Sequence, residues 1–78
     1  MIDNFETARY VSQFLLNLNS QLDESITVVE KGASATEYKA YKRGVGYIMY
    51  EVFDKLLEPL YSRHPSLKPP EWKDEKMQ

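Results

Sequence analysis

The sequence predicts an all-α protein: an antiparallel two-helix hairpin that pairs with a second copy into a homodimeric four-helix bundle and ends in an extended, Pro-rich C-terminal tail. Three observations predict it. Apolar residues recur at steps of three and four along two long stretches. Gly32 and the Ser34–Glu37 pair put a helix stop and a helix start within a few residues. Beyond the second stretch, Pro65, Pro69 and Pro70 crowd the end of a chain of 78 residues.

The first helix is expected over about 4–31. Asp3 and Glu6 form an acidic variant of the capping box, at the end of the helix dipole that favours carboxylates. Ala8, Val11, Leu15, Leu18, Leu22, Ile26 and Val29 then lie on one stripe. Gly32 can take the left-handed conformation that closes a helix, with Lys31 in the last turn. Ser34 and Glu37 make a second capping box. A connection this short makes the neighbouring helices antiparallel.

The second helix is expected over about 35–58, with a bent turn to 63. Its stripe carries Tyr38, Tyr41, Val45, Ile48 or Met49, Val52, Leu56 and Leu60. Pro59 lacks an N–H and crowds the preceding turn, so a kink or an end is expected there. Residues 64–78 then read as an extended or mobile tail, with a short helix starting at Pro69 or Pro70 as the alternative.

Two antiparallel rods share a single seam. Phe5, Phe14, Leu16, Phe53 and Leu57 lie outside it and widen both apolar faces. A second hairpin would cover them. The rival arrangement folds the tail back so that Leu67 and Trp72 cover the open face. Folding about Gly32–Ser34 sets Asp23 and Glu24 beside Lys42 and Arg43, and Arg9 beside Glu58. The second helix also runs basic to acidic (Lys39, Lys42, Arg43, then Glu51, Asp54, Glu58), against its own dipole. Compensation is expected either from the first helix or from an antiparallel second copy.

Composition bounds the function. A net charge of −2 argues against a protein that coats nucleic acid. With no cysteine there is neither a disulfide framework nor a thiolate metal site, and a cytoplasmic location is expected. The N-terminus lacks the basic-then-apolar order of a signal peptide, and no apolar run approaches the roughly 18–20 residues of a membrane span. The lone histidine, His64, is expected to be solvated in the tail. No nucleophile–base set, metal-ligand spacing or phosphate loop is present, so no enzyme activity, cofactor or metal is expected.

What remains points to partner binding. Lys39, Arg43, Tyr47 and Tyr50 share the outer face of the second helix, while Tyr38 and Tyr41 fall on the core stripe. Trp72 is a further candidate, either as an anchor for a partner or packed near Tyr61. The expected function is a non-enzymatic protein–protein interaction module with an unidentified protein partner. The alternative is a small RNA- or DNA-binding regulator using the same basic–aromatic face. Gly44 and Gly46, each costing about 1 kcal/mol inside a helix, read as close packing along an Ala40–Gly44 strip, as a hinge, or as a groove for a partner.

Overall fold

A computed structural model describes the backbone of residues 1–72 and the side chains of residues 1–71. All of its regular structure is helical. Helix α1 spans Phe5–Gly32 and α2 spans Ala35–Val52. A π turn over Phe53–Leu57 leads directly into α3, Glu58–Arg63. Two 3-10 turns follow, at Pro65–Leu67 and Pro70–Trp72.

The caps differ in detail from the sequence expectation. Asn4, not Asp3, caps α1, its Oδ1 accepting from the Thr7 N–H at 2.9 Å. Asp3 instead pairs with Arg63 at 3.1 Å. Gly32 ends α1 in helical conformation, Ala33 follows as extended backbone, and among the described residues none takes a positive φ. The Ser34–Glu37 box forms in both directions, at 3.0 and 3.1 Å.

The two long helices run antiparallel. Tyr41 meets Ser25, and Arg63 meets Asp3; both pairs are equidistant from Ala33. The fold-back register therefore holds, but the ion pairs inferred from it do not form. Arg9 pairs with Glu6 on its own helix, and Lys42 lies over the Tyr38 ring at 5.7 Å. A local partner one turn away costs a long side chain less ordering than one across the seam.

The α1 stripe behaves as its spacing predicts, with Ala8 and Leu15 buried and the other five positions half-buried. The α2 stripe is corrected at its end. Leu57 is fully buried, while Leu56 is 39% exposed. In an unbroken α-helix the residue after Val52 on the same face is Leu56. The π turn inserts one extra residue, and the inward step becomes Val52 to Leu57. Pro59 gives a physical reason. In an ordinary helix its ring would press on the carbonyl four residues back. The wider turn sends the Glu58 N–H to the Phe53 carbonyl, five residues back, and the chain continues without ending. The re-phased helix buries Leu57, Leu60 and Tyr61.

The first part of the expected tail also differs. His64 is buried, its Nε2 donates to the Ile2 carbonyl at 2.7 Å, and its ring lies T-shaped to the Phe5 ring with centroids 5.5 Å apart. That bond requires the proton on Nε2. Residues 65–67 and 70–72 are 3-10 turns, not extended chain, and Leu67 packs on the cluster of Leu15, Val52, Leu57 and Tyr61. The place of the Trp72 side chain, and the expectation for residues 73–78, lie outside the described residues.

Candidate interaction surface

Two interhelical hydrogen bonds define the two flanks of the hairpin. At about 100° per residue, Ser12 and Leu16 fall on one side of Leu15, and Phe14 and Ser25 on the other. Ser12 Oγ meets the Tyr61 hydroxyl at 3.4 Å on the first side. Ser25 Oγ meets the Tyr41 hydroxyl at 2.7 Å on the second. Because Ser25 donates to the Leu22 carbonyl at 2.6 Å, it is Tyr41 that donates to Ser25. Counting from Val45, Ile48 lies on the same side of α2 as Tyr41.

The Ser12–Tyr61 flank is covered by the chain's own end, through α3, His64 and Leu67. The Ser25–Tyr41 flank is open. Phe14 is 54% exposed there, Ile48 52% and Tyr41 37%. On the α2 side of this flank Tyr47, Ile48, Glu51, Val52, Lys55 and Leu56 line a groove of about 410 Å³. Its floor is apolar and its rim carries the Lys55–Glu51 pair at 3.3 Å. The hydrogen bond and charge of Glu51, with Asp54 adding to both, hold the Lys55 ammonium above its usual pKa of 10.5. Lys55 is therefore cationic throughout the neutral range.

The outer face of α2 lies where the sequence puts it. Lys39, Arg43, Tyr47 and Tyr50 are all exposed, Tyr47 at 68% and Tyr50 at 61%. Spacings of four, four and three make them a single ridge. Among the described residues neither Lys39 nor Arg43 forms a salt bridge. Tyr47 belongs to both the ridge and the groove, so the two surfaces are continuous. Trp72, the remaining candidate, cannot be joined to this ridge, because its side chain lies outside the described residues.

Comparison of the chain with protein-family models, with curated proteins and with solved structures finds no match. The chemistry must therefore be read from the residues. Among the described residues no group of three or more His, Cys, Asp or Glu side chains is placed to hold a metal ion. No described helix is long and apolar enough to cross a membrane. A second cleft, of about 530 Å³, lies between α3 and the first 3-10 turn and is lined by Phe53, Glu58, Tyr61, Ser62, Pro65, Ser66 and Lys68.

Of the groove's lining, sequence reasoning singled out Tyr47 alone as a candidate for partner binding. Ile48 and Leu56 read as seam residues there. Their exposure follows from the re-phased helix and from which flank the chain's end covers. The five-residue spacing from Val52 to Leu57, just before Pro59, is the signal that could have revealed it.

Proposed function

We propose that the protein is a non-enzymatic interaction module of the cytoplasm, working as a small helical dimer that presents the α2 ridge to a partner protein. The observation that carries this reading is the contrast between core and surface. The buried apolar set is small, whereas Phe14, Tyr41, Ile48 and Leu56 stand exposed on one flank and Tyr47 and Tyr50 on the adjoining ridge. Soluble monomers rarely leave contiguous apolar surface of this kind without a use for it. Exposed tyrosines beside an arginine are the residue types that dominate binding energy at protein interfaces.

A second reading, a small RNA- or DNA-binding regulator, is favoured by one observation. Lys39 and Arg43 have no acid partner among the described residues and stand beside aromatic rings on the ridge. Salt separates the two. Phosphate contacts weaken steeply between about 50 and about 200 mM salt, while a tyrosine-centred protein interface changes little. Capture from a nuclease-treated lysate, on the immobilised wild-type chain and on Arg43→Glu/Tyr50→Ala, tests the leading reading. Proteins held at both salt concentrations by the wild type and lost from the variant are expected. Identical capture by both chains overturns it.

A further inference from the structure

We infer that the open flank is where a second copy of this chain docks, α2 against α2 in antiparallel sense, with Ile48 of each copy seated over Gly44 of the other. This rests on the dimeric reading above and assigns its interface.

The open flank is an uncovered apolar face shared by both long helices: Phe14 comes from α1, Tyr41 and Ile48 from α2. Stable domains cover such a face with a second layer. The Cα trace extends 44 × 30 × 17 Å, long enough for two copies to share the roughly 800 Å² each that a standard interface takes.

Gly44 gives the point of closest approach. It lies on the open side of α2, one turn before Ile48. A Cβ built on it meets no atom within 4 Å, so no packing inside the chain calls for glycine. The expected close packing of the Ala40–Gly44 strip is thus not satisfied within one chain. A half-exposed isoleucine next to an unfilled glycine is self-complementary under a two-fold axis. That axis, midway between Gly44 and Ile48, also sets Glu37 of each copy opposite Lys55 of the other, on the same side of the helix. It makes the α2 dipoles antiparallel as well. Helix α1 does not supply the compensation that the basic-to-acidic order of α2 calls for. None of Lys39, Lys42 and Arg43 pairs with an α1 carboxylate among the described residues.

Sedimentation equilibrium of the full chain, from about 1 µM to about 1 mM, tests the assignment. A dimer is expected. Ile48→Glu is expected to raise its dissociation constant at least about a hundredfold, with helix content by circular dichroism unchanged because the site is half exposed in the single chain. Gly44→Leu is expected to weaken the dimer similarly while raising the helicity of the dissociated chain. Glu37→Lys alone is expected to weaken it several-fold, and Glu37→Lys with Lys55→Glu to recover it. Arg43→Glu/Tyr50→Ala is expected to leave the dimer intact, so loss of partner capture and loss of dimerisation report separately. A chain that stays single at the highest concentration overturns the inference. So does a dimer indifferent to Ile48→Glu, or one dissociated by Arg43→Glu instead.

Discussion

Phe14 and Leu16 stand on opposite sides of Leu15, yet Leu16 packs on the core cluster and Phe14 is left half in water. The same contrast holds between the two flanks around them. On one flank Tyr61, His64 and Leu67 return over α1 and close it. On the other, Tyr41, Ile48 and Leu56 remain exposed around an apolar groove. The difference does not lie in hydrophobicity, since both flanks carry large apolar side chains. It lies in which flank the segment from α3 to Leu67 packs over. Among the described residues one flank is covered and the other is left exposed.

The comparison can be broken most forcefully at the two adjacent leucines. Leu57→Ala removes a fully buried side chain and is expected to cost about 2–5 kcal/mol in urea unfolding. Leu56→Ala, at concentrations where the chain is single, is expected to cost less than about 1 kcal/mol. Equal costs would mean that the π turn does not set the inward face. The next largest effect falls on the interhelical hydrogen bonds. Tyr61→Phe leaves a buried Ser12 hydroxyl and is expected to cost about 1 kcal/mol. Tyr41→Phe is expected to cost about half that, because Ser25 keeps the Leu22 carbonyl. Thermal unfolding of the two variants ranks them. The clasp between the chain's ends is weaker still. Asp3→Asn removes an exposed ion pair and is expected to cost no more than about 0.5 kcal/mol, vanishing at high salt.

The smallest expected change is on the open rim. Glu51→Gln removes the strongest cause of the raised Lys55 pKa and should bring it back toward 10.5, read by NMR titration. A raised lysine pKa contributes stability in full below the unfolded-state value and loses it as pH rises through the folded-state value. Loss of the Lys55 charge therefore belongs to alkaline solution, and the groove keeps its cationic edge at neutral pH.

Much of this was legible in the sequence. The α1 stripe, the Ser34–Glu37 box, the antiparallel register and the exposed ridge of Lys39, Arg43, Tyr47 and Tyr50 all follow from local spacing and side-chain chemistry. Two of the misread features depend on contacts distant in the chain. Asp3 loses the capping role to Asn4, and Arg63, 60 residues on, takes its carboxylate. His64 is buried because the Ile2 carbonyl and the Phe5 ring are waiting for it, which no periodicity encodes. Leu56 and Leu57 exchange roles because counting by 3.6 presumes an unbroken helix. The groove was hidden for the same reason, with Ile48, Val52 and Leu56 of its lining assigned to the seam.

The wide turn at Phe53–Leu57 also bears on descent. A chain one residue shorter between Val52 and Glu58 and lacking Pro59 would wind in ordinary turns throughout and present the same inward set. Among kindred chains a single deletion there would leave Leu57, Leu60 and Tyr61 in phase.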